Sequence, residues 1–250
     1  MASKVFIVTG ASKGLGAAIV QHLLAQSHKV VVTARSESPL QKLKEAHPTQ
    51  VEYVAGDITS EDIAERLTAL AVNSFGQLDG VVINHGVLEP KRFADESIQD
   101  TKTFYDVNLF SYIAMARASL KEVKKTKGCI VWVSSGAALK AYQAWSTYGS
   151  AKAAVNSMAA HLAVEEPDIT SVSFGPGRVN TDMQAVIREK GKDTMAKAQH
   201  QNFVDALEQG ELLRPEQPGN VIAKFVANPL HKLSGQYVNW NSPELAAYQE

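Results

Sequence analysis

The sequence predicts one α/β domain, a parallel seven-stranded sheet wound with helices on both faces. Three observations carry that prediction. Seven short apolar runs rich in Val and Ile recur along the 250 residues, and near-continuous runs of this kind mark strands buried on both faces. Helical patterns separate the runs, and strand–helix alternation is the signature of a parallel sheet. The first run passes directly into a glycine-rich turn and then a helix, the unit that opens a doubly wound sheet.

In order, the strands are expected at Val5–Val8, Lys29–Thr33, Val51–Ala55, Gly80–Ile83, Cys129–Val133, Thr170–Phe174 and Gln236–Asn239. Helices are expected over 14–26, 38–46, 60–75, 98–125, 147–165 and 216–227, with Pro167 ending the fifth. The segment Asn180–Gly210 breaks the rhythm. It is long, polar and helix-prone, contains Met183, Gly191 and Met195, and follows the sixth strand on the side where ligands bind such sheets. It reads as a mobile lid (about 180–210) over a substrate, the alternative being a surface helical insertion.

A length of 250 residues suits a single domain, 1–250, with a sizeable core. The net charge of −1 and the lack of a basic stripe speak against nucleic acid. The lone Cys129 sits in an apolar run, as a packed thiol would. The first strand begins almost at once, leaving no room for a signal peptide, and no apolar run approaches membrane-spanning length. A cytoplasmic protein with no membrane partner is expected. The seven histidines and the carboxylates do not cluster at metal-ligand spacing, so no metal is expected.

The chemistry is concentrated mid-chain. Tyr148 and Lys152 stand four residues apart, on one face if the stretch is helical. A phenol beside an ammonium is a candidate proton donor, because the cation favours the phenolate and lowers the tyrosine pKa. Ser135 follows the fifth strand, where a hydroxyl can bind a carbonyl oxygen as negative charge builds. At the other end, Thr9-Gly10-Ala11-Ser12-Lys13-Gly14-Leu15-Gly16 forms the glycine turn. Its glycines permit close backbone approach, and the following helix offers free N–H groups to a pyrophosphate.

Together these residues resemble the short-chain dehydrogenase/reductase family in its compact form. The matching motifs are the glycine turn at 9–16, Asp57 after the third strand, Asn84-x-Gly86, Asn108, Ser135, Tyr148-x-x-x-Lys152 and Pro176-Gly177. Two departures stand out. Ile83 and His85 flank Asn84 where the family usually has an amide and a small residue, and the last strand lacks the common Asp-Gly-Gly ending.

The resemblance implies a Rossmann-like fold and a set of roles. Tyr148 is the general acid, and Lys152 lowers its pKa and binds the nicotinamide ribose. Ser135 orients the carbonyl, and Asn108 holds a water linking Lys152 to solvent. Gly10, Ser12, Lys13, Gly14, Leu15 and Gly16 cradle the pyrophosphate. Asp57, with Ile58, meets the adenine, while Asn84 and Gly86 approach the ribose. Pro176, Gly177, Val179 and Thr181 lie by the nicotinamide carboxamide. His85 reads as a tolerated substitute near the adenine side, and Ser134 as structural.

Arg35 and Lys13 decide the cofactor. Members of the family that use NAD usually carry an acid at the position of Ala34; here a guanidinium follows instead. Arg35 can grip a 2′-phosphate in bidentate fashion, Lys13 adds charge and Ser36 a hydroxyl, so NADPH/NADP+ is expected.

The stretch Ser134–Tyr148, with Val87-Leu88-Glu89-Pro90 and Glu165-Glu166-Pro167, is similar to a fungal subgroup described as benzil reductases or sepiapterin-reductase-like proteins. That similarity implies a ketone or α-dicarbonyl substrate with a bulky group, met by Leu88, Tyr142, Trp145 and Met183. For Trp145, packing or an interface is an equal alternative. A dinucleotide-binding redox sensor or scaffold with little turnover, and an alcohol dehydrogenase working oxidatively, remain alternative readings. The helices bearing Asn108 and Tyr148 carry apolar stripes widened by Ala116, Ala151 and Ala159. A homodimer or homotetramer is expected from them.

Overall fold

The computed structural model describes residues 3–60 and 62–249. Seven strands form one sheet: β1 Val5–Thr9, β2 Lys29–Ala34, β3 Val51–Ala55, β4 Gly80–Ile83, β5 Cys129–Val133, β6 Thr170–Gly175 and β7 Tyr237–Asn239. Their order is β3-β2-β1-β4-β5-β6-β7, and every neighbouring pair is parallel. The strand order reverses between β1 and β4, and ligands bind such sheets in the crevice at the carboxyl ends beside that point.

The helices are α1 Gly14–Ala25, α2 Glu37–Ala46, α3 Ile63–Phe75, α4 Ile98–Tyr105, α5 Ser111–Lys125, α6 Ser146–Glu165, α7 Asp182–Thr194, α8 Lys197–Glu208, α9 Glu216–Ala227 and α10 Ala246–Gln249. Alternate strand residues face opposite sides. Phe6 and Val8 enter a core with Ile19 and Leu23 of α1 and Ile222 and Phe225 of α9. Val5 and Ile7 enter a second core with Leu67 of α3, Met115 of α5 and Val155 of α6. A third cluster lies beyond the strand ends and joins Trp145 and Tyr148 to Ile187, Met195 and Phe203 of α7 and its successors.

The seven expected strands form within a residue or two of their bounds. One helix does not form as expected. The run 98–125 is interrupted by a π-helical turn, Asp106–Phe110, between α4 and α5. Such turns arise where side chains insert into the helical ladder. Here Asn108 Nδ2 donates to Phe104 O at 3.0 Å and Ser111 Oγ to Val107 O at 2.7 Å. The helix expected over 60–75 is α3, which begins at Ile63; position 61 lies outside the described residues.

A second correction concerns the widened apolar stripes. Ala116, Ala151 and Ala159 are all buried in the second core, so they pack on the protein's own sheet. The apolar surface left on and beside these helices includes Phe110, 52 % exposed, and Val164, 81 % exposed, with Met158 and Leu162 partly covered.

Candidate active site

The glycine turn is shaped for close approach. Gly10 adopts φ +65°, and a Cβ there would lie 2.9 Å from His85 Cα. At Gly16 a Cβ would lie 2.2 Å from the Gly10 carbonyl oxygen. Asn84 fastens the turn from β4, its Nδ2 donating to Thr9 O at 3.0 Å and Gly10 O at 3.3 Å. Lys13 caps α1 without a side-chain bond to the first turn, which leaves N–H groups of Gly14, Leu15 and Gly16 to an anion. Ser12 stands at the rim of this turn.

Around the adenosine end the side chains are exposed. Arg35 lies in solvent after β2, and Ser36 caps α2 without using its hydroxyl. Asp57 Oδ1 accepts from Thr59 N at 3.0 Å and from Thr59 Oγ1 at 2.8 Å. Those bonds, and the charge of Arg35, hold its carboxyl below the usual range. Ile58 packs against the second core. Lys13, expected beside a 2′-phosphate, instead pairs with Asp182 at the start of α7; the two side chains are 70 % and 74 % exposed. An exposed pair of this kind holds weakly.

Past β6, Pro176 leads into Gly177 at φ +79°. Val179 bridges to Leu213, and Thr181 opens α7 with its hydroxyl donating to Val179 O at 3.3 Å. A Cβ on Gly14 would meet Thr181 Cγ2 at 2.9 Å. The segment after β6 therefore rests on the glycine turn.

The structure brings the four candidate catalytic residues together where β4, β5, the π turn and α6 meet. Tyr148 and Lys152 share the inward face of α6, 7 % and 2 % exposed. Ser135 follows β5 with its Oγ accepting from Ala137 N at 3.1 Å. Ser134 turns away, its hydroxyl reaching Lys152 O at 3.4 Å. Asn108 is fully buried, and its Oδ1 accepts from Val87 N at 3.1 Å. A Cβ on Gly86 would fall 3.0 Å from Asn108 Oδ1 and 3.8 Å from Lys152 Nζ. Gly86 thus keeps open the space between those two polar groups.

The electrostatics differ from the expectation that Lys152 lowers the Tyr148 pKa. Burial pushes the Tyr148 hydroxyl up to about 12, with the Ser135 hydroxyl pulling the other way. Burial also brings Lys152 down to about 7. Nζ lies 5.9 Å from the Tyr148 ring centroid and bonds elsewhere, to Tyr112 Oη at 2.8 Å and Val133 O at 2.9 Å. In this dry pair desolvation outweighs the attraction of ammonium for phenolate.

His85 is held by two hydroxyls. It is buried, with Nδ1 2.8 Å from Thr9 Oγ1 and Nε2 2.7 Å from Ser111 Oγ. Ser111 Oγ donates onward to Val107 O, so Nε2 carries the proton in this network. The ring clamps the glycine turn to the π turn. Burial, then the charge of Lys152, lowers its pKa to about 3.

On the substrate side, Trp145 lies edge-on to Tyr148, centroids 5.9 Å apart. Tyr142 and Phe203 cover it at 4.8 and 5.4 Å. Leu88 is buried in the same cluster and Met183 packs on it. Sequence reasoning named Met195, in the link between α7 and α8, only as part of the segment after β6, and it missed Ile187 of α7 and Phe203 of α8. Their spacing is that of ordinary amphipathic helices, so the only available signal was the position of the segment after β6. Trp145 packs within this cluster, and its indole N–H is buried without a partner.

The cradle, the crevice and the Tyr–Lys helix define a dinucleotide-dependent oxidoreductase. Residues 4–192 match the sequence model described as short chain dehydrogenase, and the chain belongs to the short-chain dehydrogenase/reductase family. It is similar to the benzil reductase ((S)-benzoin forming) of Saccharomyces cerevisiae, 35 % identical over 98 % of this chain and 99 % of the relative. The sepiapterin reductase of Mus musculus is 31 % identical over 76 % of this chain and 79 % of its own. The crystal structure of a short-chain dehydrogenase/reductase from Saccharomyces cerevisiae aligns with a TM-score of 0.97 at 39 % identity, covering 99 % of this chain and all of that one. A nicotinamide cofactor goes with the family, and the glycine cradle fits one. Among the described residues, no helix is long and apolar enough to cross a membrane.

Proposed function

We propose that the protein is an NADPH-dependent carbonyl reductase acting on a ketone or α-dicarbonyl with a bulky, aromatic-like group. The observation that carries this reading is the convergence of Tyr148, Ser135, Lys152 and Asn108 beneath an aromatic cluster and beside the glycine cradle. NADPH held in the glycine cradle would supply the hydride for the carbonyl carbon. Tyr148 gives its proton to the carbonyl oxygen, and Ser135 donates a hydrogen bond to that oxygen as charge develops. A hydroxyl held near 12 is protonated across the physiological range, as an acid requires. Lys152 and Asn108, on either side of the space kept by Gly86, bind the ribose and a water. Arg35 and Ser36 take the 2′-phosphate, with Lys13 once it leaves Asp182.

The substrate lies against Trp145, Tyr142, Leu88 and Met183. The segment 180–210 acts as a lid, because Phe203 stacks on Trp145 and Tyr142 and joins Ile187 in the cluster that holds Tyr148, so it must shift to admit a bulky ligand. The relatives named benzil and sepiapterin reductase support the substrate class. We further assign a cytoplasmic site of action and a homodimer or homotetramer through Phe110, Met158 and Leu162.

A ketone and dicarbonyl panel, followed by NADPH consumption, tests the reading. Wild type should reduce an aromatic dicarbonyl. Tyr148→Phe should lose at least about 100-fold in kcat with NADPH affinity unchanged. NADPH binding without turnover of any panel member would favour a sensor or scaffold instead.

A further inference from the structure

Lys152 is gripped by a second tyrosine that the catalytic motif does not contain. Tyr112 is fully buried on α5, four residues past Asn108. Its hydroxyl oxygen accepts from Lys152 Nζ at 2.8 Å, and its ring centroid lies 4.2 Å from the same nitrogen. The hydroxyl donates to the His85 carbonyl, with Val133 O also near at 3.2 Å. An amine drawn into a dry interior is costly to keep charged. An acceptor and a π face both favour the ammonium over the neutral amine.

We propose that Tyr112 is a positioning residue, whose hydroxyl and ring hold Lys152 Nζ against β5 and keep it protonated while Tyr148 acts. This rests on the reading of Lys152 given above. The groups facing Nζ are few. Tyr112 comes from α5, Val133 O from β5 and the Tyr148 ring from α6 itself. His85, beyond β4, is neutral above about 3. Among the described residues Lys152 has no carboxylate partner. Asn108, near the Gly86 space, is uncharged. Burial lowers Lys152 to about 7, so an acceptor at Nζ bears directly on its charge near neutral pH.

Tyr112→Phe keeps the ring and removes the acceptor. The Lys152 midpoint can be followed by NMR of protein carrying 13Cε-labelled lysine, with the signal assigned from its loss in Lys152→Ala. It should fall by about one pH unit in Tyr112→Phe. The alkaline limb of kcat should move down with it. If Tyr112→Phe does not fold, Tyr112→Leu, lacking ring and hydroxyl, should show a larger fall. An unmoved midpoint overturns the proposal. So does a lower kcat at every pH with the limb in place, the mark of a purely structural role. Full turnover by Lys152→Ala would sink the reading of Lys152 instead, while the NMR midpoint still decides what Tyr112 does to the amine.

Discussion

The two ends of the crevice use charge in opposite ways. At the adenosine end Arg35, Lys13 and Asp57 stand in or near solvent. Lys13 pairs with Asp182 across a surface that water screens. At the carbonyl end Lys152, Tyr148 and His85 are dry, and each has its pKa moved by burial first. In the wet region a charge waits for a ligand and changes little until one arrives. In the dry region burial shifts each protonation equilibrium. A change among the exposed residues can therefore leave the fold untouched, whereas a change among the buried ones also disturbs the protonation of their neighbours.

The largest expected effect sharpens the dry side. His85 keeps a pKa near 3 in the folded protein, against about 6.5 when unfolded. Between those values the unfolded chain binds more protons, so stability is lost as pH falls. This group alone should cost about 2 kcal/mol from pH 6.5 to 4.5, the slope steepening toward about 1.4 kcal/mol per pH unit below the unfolded pKa. His85→Gln should start less stable, because Thr9 and Ser111 lose their partner, and should decline less steeply in acid. Urea unfolding of both proteins across this range measures it. Parallel slopes would break the contrast.

The next effect tests the wet side. Arg35→Ala should raise the KM for NADPH about tenfold, the worth of one charge-assisted contact at a partly solvated site. NADH kinetics and Tm should stay put. A wild type that uses NADH as well as NADPH would remove the basis for this assignment. The smallest effect concerns Asp182→Asn, which frees Lys13. NADPH affinity should improve by about two- to threefold at low salt and by less at high salt. No change at any ionic strength would leave Lys13 outside the phosphate site.

Much of this arrangement was legible in the chain. Apolar runs such as Lys29–Thr33 could be read as buried strands because a parallel strand covered on both faces needs nothing but apolar residues. Gly10 and Gly16 were legible because a side chain there would strike the neighbouring backbone. Asn108 was expected within a helical stretch, and its geometry there was not legible. The π turn that buries it depends on Ser111 and Phe104 O, contacts that no periodicity reveals. Phe203 carried no mark of its own, since an aromatic on a polar helix fits a dozen roles.

The sequence by itself determined the sheet, the glycine cradle and the identity of the Tyr148–Lys152 pair. All three rest on local patterns, namely strand hydrophobicity, turn sterics and helical spacing. Tertiary structure alone decided the electrical state of the pair and its neighbours. Desolvation and long-range contacts set that state, bringing Tyr112 and Val133 to Lys152 and Thr9 to His85 from 76 residues away. A pKa in a dry site depends on what surrounds the group in space, and spacing along the chain does not report it.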